Sequence, residues 1–200
     1  AMFGVWVQDK TGERFVDELA NRKVRADAIM TLLNEGIHCY AVADAKGVEP
    51  MGISRPGLLQ KMLERGCVKQ YETLEALAAG EKINIEGLRK SVKEWNSAVK
   101  SGTDAHFKRY VNKKAQPMGT GPWYVSTMVP KVHHCMGGIY TDMQARALDI
   151  STDEPIPGLF AAGEATGGVH GAVRLGSCAV TDCLVYGRIA GRTAAQNESW

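Results

Sequence analysis

C-x-x-C pairs are missing from this sequence, although it has five cysteines (Cys39, Cys67, Cys135, Cys178 and Cys183). Zinc-ribbon, thioredoxin-like and c-type haem readings therefore lack support. Scattered and odd in number, the thiols read as buried free side chains, which favours a reducing compartment such as the cytoplasm. Charge of one sign is also missing: 24 basic against 22 acidic side chains leave a net +2. That is no electrostatic footprint for nucleic acid or an acidic membrane surface. No apolar run approaches the roughly 20 residues of a membrane span, and the first residues lack the order of a signal peptide. Internal repeats and low-complexity segments are absent as well. What is there, 44% hydrophobic and 23% charged residues in a 200-residue chain, is ordinary globular composition with enough length for a buried core.

Residues 3 to 7 read as a short strand, followed by a turn at Asp9 to Gly12 and a second extended piece. Apolar spacing through residues 17 to 33 predicts a helix ended by Gly36, and residues 37 to 44 a buried strand with Ile37, Tyr40 and Val42. Two prolines and two glycines make 45 to 56 a loose stretch; short helices are expected at 57 to 66 and through TLEALAAGE. Leu88, Val92, Trp95 and Val99 lie on one face of an amphipathic helix with Asn84 as N-cap and Gly102 as stop. Residues 103 to 130 read as a connection. GGIYTD then gives a strand and turn, IPGLFAAGE a buried strand, and a long helix starts near Ser177 with Ala179, Val180, Cys183, Leu184 and Ile189 on its apolar side. The fold class is mixed, α+β or α/β.

Chemistry concentrates in GEATGGVHGAVRLG, residues 163 to 176, where five glycines surround Glu164, His170 and Arg174. Glycine at that density weakens regular structure, so the stretch is a phosphate cradle, a substrate-binding turn or a solvated loop. It lies between a strand end and a helix start, where open α/β sheets collect ligands and where unpaired N–H groups suit an anion. Glu164 could accept from a ribose hydroxyl, and the planar fork of Arg174 fits a carboxylate. The plainer alternatives are a solvated acid, an arginine paired with a nearby carboxylate, and a surface histidine. Upstream, His133 and His134 in VHHCMGG could bind a carboxylate or polarise a carbonyl; no third ligand at a suitable spacing supports a metal. Glu18 and Arg22, four apart on the expected helix, form either a surface ion pair or a proton relay.

GERFVDE…NR, VHHCMGGIYTD, IPGLFAAGEATGGVHGAVRLG and YGRIAG together resemble the flavoprotein family of soluble fumarate reductases and flavocytochromes c. Its superfamily includes succinate dehydrogenase flavoprotein subunits, aspartate oxidases and 3-ketosteroid dehydrogenases. The resemblance implies FAD as cofactor and a capping substrate domain joined to the C-terminal part of a Rossmann-like FAD-binding domain. Residues 1–16 would be returning strands of the FAD-binding domain, 17–125 the cap, and 126–200 the C-terminal FAD-binding part. It implies that His133 and Arg174 clamp a substrate carboxylate with His170 nearby, while hydride passes from the flavin to a C=C bond. Glu164 would hold the FAD ribose, with Gly163 and His134 on the cofactor side and the backbone of Leu175, Gly176, Ser177 and Ala179 facing the flavin. A cap arginine would act as general acid, fed through Glu18 and Arg22; counting along the chain favours Arg55 over Lys46. Such an arginine works only when desolvated and refilled, and its charge also stabilises developing negative charge.

The region around Arg55 departs from the family, so the substrate expectation is a small dicarboxylate such as fumarate or another enoate. A steroid or amino-acid dehydrogenase and a flavin-free carboxylate-binding module are the alternatives. The family's G-x-G-x-x-G turn for the FAD pyrophosphate does not occur in these residues. The chain thus reads as the C-terminal portion of a longer flavoprotein, with the electron donor on a domain or protein outside it. A periplasmic location is implied by the family alongside the cytoplasmic one.

Overall fold

The computed structural model describes residues 4–196. They form two compact units, Ala1–Pro130 and Lys131–Trp200, and the fold is a mixture of helix and sheet.

In the first unit, β1 (Val5–Gln8), β2 (Cys39–Asp44), β3 (Lys69–Tyr71) and β4 (Trp123–Met128) make an antiparallel sheet in the order β1-β2-β4-β3. Successive side chains of a strand point to opposite faces, and both faces are covered. Val5, Val7, Tyr40, Val42, Trp123 and Val125 pack with Leu77, Leu88, Val92 and Trp95. Trp6 and Cys39 face the other way, onto Ile29 of α1 (Arg22–Asn34). Residues 1–16, expected with the FAD-binding part, thus carry a strand tied into the sheet of this unit. The boundary expected after residue 125 falls inside β4.

Three expectations need correction here. The first helix starts at Arg22, not residue 17, because Asn21 caps it with a side-chain bond from Val24 N–H at 3.0 Å. Asp17 closes a turn ahead of it by accepting from Leu19 N–H at 2.8 Å. The stretch after residue 44 is helical: buried Asp44 accepts from Gly47 N–H at 2.9 Å and so caps α2 (Ala45–Ser54), despite Pro50 inside it. The third concerns 103 to 130, which includes β4, bonded on both sides within the sheet. The helices α3 (Leu58–Glu64), α4 (Leu74–Glu81) and α5 (Ile85–Ser101) follow the pattern. Asn84 caps α5 by accepting from Glu86 and Gly87 N–H, Gly102 ends it at φ 74°, and Leu88, Val92 and Trp95 are buried.

The second unit holds the antiparallel pair β5 (Arg146–Leu148) and β6 (Pro155–Phe160), a 3-10 turn at Gly163–Ala165, and α6 (Cys178–Gln196). GGIYTD forms only single bridges, Ile139 with Thr166 and Thr141 with Ala147, in place of a strand. The expected apolar side of α6 is not enclosed: Val180 and Leu184 are exposed, and the buried residue of this helix is Asp182. β6 likewise exposes Ile156 and Leu159. The thiols differ too: Cys39 is buried, whereas Cys67, Cys135 and Cys183 are exposed. Burial pushes the Cys39 thiol up to about 11, with a smaller contribution from Asp9.

Candidate functional site

Each unit gathers one group of charged side chains. In the first, the loop after β1 brings Arg14 and Glu18 inward, and the chain after α5 adds Asp104 and Arg109; all four are buried. Arg14 grips Glu18 at two points, Nε to Oε1 at 2.9 Å and Nη2 to Oε2 at 2.8 Å, and its Nη2 also donates to Asp104 at 2.8 Å. Arg109 Nη1 lies 3.0 Å from Glu18 Oε2 and donates to the Gly4 carbonyl at 2.7 Å. The Arg109 guanidinium stacks 4.0 Å over the ring of Trp95, and that of Arg14 lies 5.0 Å over Phe107. Two cations and two anions cancel, which is what makes their burial tolerable. Burial opposes the charge on Arg14, but the hydrogen bonds it donates to Glu18 and Asp104, together with their charges, outweigh it and hold the guanidinium above its ordinary range. For Arg109 burial prevails and lowers it.

The shared helix face expected for Glu18 and Arg22 is therefore corrected. Glu18 lies ahead of the helix, not on it, and both carboxylate oxygens are taken by Arg14, Arg109 and the Trp6 N–H. Arg22 is exposed at the first position of α1, with no carboxylate in ion-pair range among the described residues. Arg55 is exposed at the end of α2, and Lys46 is exposed in its first turn.

In the second unit, Glu164 stands in the turn that follows β6. Its Oε1 accepts from Cys135 N–H at 3.0 Å, and Oε2 lies 3.3 Å from His134 Nδ1. The side chain remains half exposed. The Cys135 N–H chiefly holds its carboxyl below the usual value; burial works against it, and interactions with His134 and Arg174 add lesser contributions in the same direction as the Cys135 N–H. His134 meets His170 edge to face with ring centroids 5.3 Å apart. His170 Nε2 is 3.2 Å from Asp182 Oδ2. Arg174 is buried and donates from Nη1 to the Leu175 carbonyl at 2.7 Å, while its Nε has no partner among the described residues. It thus pairs with backbone, not with the carboxylate that the plain reading supposed.

His133 is exposed, as are Leu175, Gly176 and Ser177 at the start of α6; Ala179 is half-buried. Ser177 takes φ 69°, a left-handed conformation that non-glycine residues adopt at a cost. Gly163 is held by close approach: a Cβ there would come 2.8 Å from Cys183 Sγ. The structure thus brings Glu164, His134, His170 and Arg174 into one neighbourhood, with Gly163 beneath. These residues fit part of an FAD site: an ionised, anchored and half-exposed acceptor for ribose hydroxyls beside exposed backbone at a helix start. Sequence reasoning missed Arg14, Asp104, Arg109 and Asp182, because a lone charge on a helix or loop reads as solvated. Among the described residues no group of three or more His, Cys, Asp or Glu is arranged to hold a metal ion, and no helix is long and apolar enough to cross a membrane.

The acrylate reductase flavoprotein subunit of Shewanella woodyi is 34% identical over 195 residues, 93% of this chain and 36% of that protein. The urocanate reductase of Eggerthella lenta is 37% identical over 191 residues, 94% of this chain and 30% of that protein. Among solved structures, the open conformation of a flavocytochrome c3 fumarate reductase matches with a TM-score of 0.70 at 34% identity, covering 98% of this chain and 33% of that one. The 3-ketosteroid delta1-dehydrogenase from Sterolibacterium denitrificans matches with a TM-score of 0.76 at 25% identity, covering 98% and 39%. The chain spans about a third of the length of the curated relatives it matches. The FAD binding domain family matches residues 3–180, and the chain belongs to that family.

Proposed function

We propose that this chain is the substrate-capping and C-terminal part of an FAD-dependent reductase that saturates the C=C bond of a small unsaturated carboxylate. One observation carries the reading. Glu164 is fixed at the end of β6 by Cys135 N–H and His134 yet keeps half its surface free, beside Arg174 and His170. An anchored anion suits the hydroxyls of a ribose, and a guanidinium and an imidazole beside it suit a carboxylate. The similarity to acrylate, urocanate and fumarate reductases supports an enoate in that place.

Bound FAD would supply the hydride; the FAD pyrophosphate would be held by residues outside this chain. Arg174 and His133 would hold the substrate carboxylate and orient the double bond, with His170 alongside. The second unit would be the FAD-binding part and the first the cap. The proton would come from a cap guanidinium. Counting along the chain favours Arg55, which is exposed in this chain and would have to be desolvated where the substrate binds. The electron donor would be a separate domain or protein. The test is to express the chain with its upstream sequence and assay acrylate, urocanate and fumarate with a reduced viologen dye. Flavin-dependent turnover of one of them is expected; flavin loading with no turnover of any enoate would reject the reading. Oxidation of a 3-ketosteroid in the same preparation would favour the dehydrogenase alternative, which the match to the steroid enzyme raises.

A further inference from the structure

Asp182 is the buried residue of α6, with a side chain 3% exposed, and its Oδ1 has no hydrogen-bond partner among the described residues. A buried carboxylate is costly unless an opposite charge faces it. The ring of His170 faces it, with Nε2 3.2 Å from Asp182 Oδ2, though off the line of a hydrogen bond. The His170 ring meets His134 edge to face at 5.3 Å and 71°, and His134 Nδ1 lies 3.3 Å from Glu164 Oε2. Carboxylate, imidazole, imidazole and carboxylate thus stand in single file from α6 to the turn after β6. Arg174 is the further charged group that acts on this file, through Glu164.

We propose that Asp182 is a positioning residue that fixes the orientation and tautomer of His170 and, through the ring contact, couples them to the His134–Glu164 pair. The proposal rests on the reading of Glu164, His170 and Arg174 as ligand-binding residues. Its physical basis is local. A carboxylate oxygen beside Nε2 favours the proton on that nitrogen and leaves Nδ1 as the free position. Two imidazoles in edge contact cannot gain protons independently, because a charge on one raises the cost of a charge on the other. Asp182 thereby reaches Glu164 without touching it.

The test reads the ring 15N shifts of His170 and His134 by NMR at one fixed pH in the 200-residue chain, with no flavin or substrate added. In Asp182→Asn the His170 ring-nitrogen shifts are expected to change as the carboxylate beside Nε2 is lost, and those of His134 to change with them. Asp182→Glu is expected to restore both. If Asp182→Asn lowers thermal stability but leaves both sets of shifts in place, Asp182 only packs, and the proposal fails. Should that variant not fold, His170→Gln is read instead: changed His134 ring-nitrogen shifts support the coupling, unmoved ones overturn it. Since the readout needs neither flavin nor enoate, its failure is distinct from a failure of the reductase reading.

Discussion

Arg14 and Glu18 face each other across a two-point contact, Nε to Oε1 at 2.9 Å and Nη2 to Oε2 at 2.8 Å, with both side chains fully enclosed. The pair is four residues apart but not helical, so it binds two ends of a turn. Removing Glu18 leaves two buried guanidiniums, Arg14 and Arg109, against the one remaining carboxylate of the group, Asp104. Glu18→Ala is therefore expected to destabilise the chain by about 3–5 kcal/mol, read as a lower denaturant midpoint. Arg22→Ala, at an exposed helix start, is expected to stay within about 0.5 kcal/mol. Equal losses in the two variants would revive the Glu18–Arg22 pairing that the structure replaces.

Gly87 gives a prediction opposite in sign to helix propensity. Glycine to alanine inside a helix ordinarily stabilises by about 1 kcal/mol. At Gly87, in the first turns of α5, a Cβ would fall 1.7 Å from the Thr11 carbonyl oxygen, a backbone atom that cannot swing aside. Gly87→Ala is expected to lower the thermal midpoint by several degrees, as a loss of about 1–3 kcal/mol would. An unchanged or raised midpoint would show that the turn at Thr11–Gly12 yields freely.

Legibility followed locality. α5 could be read off because its apolar spacing, its Asn84 cap and its Gly102 stop all lie within the segment. α2 could not, since prolines and glycines speak against a helix, while what fixes it is a cap from Asp44, whose other oxygen is held by Gly119 and Thr120 N–H far along the chain. β4 was hidden for a similar reason: its pairing partners come from residues 39–44 and 69–71. At the site, glycines and ionisable residues marked Glu164, His170 and Arg174 within one short stretch. Asp182 gave no such mark, because only folding brings α6 beside His170.

The pH response of the loop around Glu164 follows from the direction of its shift. Its folded value lies below the unfolded one, chiefly through the Cys135 N–H, so the anchor contributes fully above the ordinary glutamate range and is lost as pH falls through the lowered value. A carboxyl 13C titration of Glu164 is expected to show a midpoint below the ordinary 4.5 of a glutamate side chain. Arg174→Gln is expected to raise that midpoint part of the way, since its charge is one of the lesser causes. A parent midpoint at the ordinary value would mean the Cys135 contact does not persist in solution.

Binding and proton supply should separate in the kinetics of the longer protein. Arg174, if it holds the substrate carboxylate, contributes to ground and transition states alike. Arg174→Gln is then expected to raise KM by about tenfold or more, the loss of a charged hydrogen bond, with a smaller fall in kcat. A proton donor acts in the transition state, so its loss lowers kcat by roughly 100- to 10,000-fold with KM little changed. That pattern is expected for Arg55→Gln, with Lys46→Gln near the parent. A kcat collapse confined to Lys46→Gln or Arg22→Gln would move the donor to that residue, and a collapse in none of them would take the proton source out of the first unit's exposed cations.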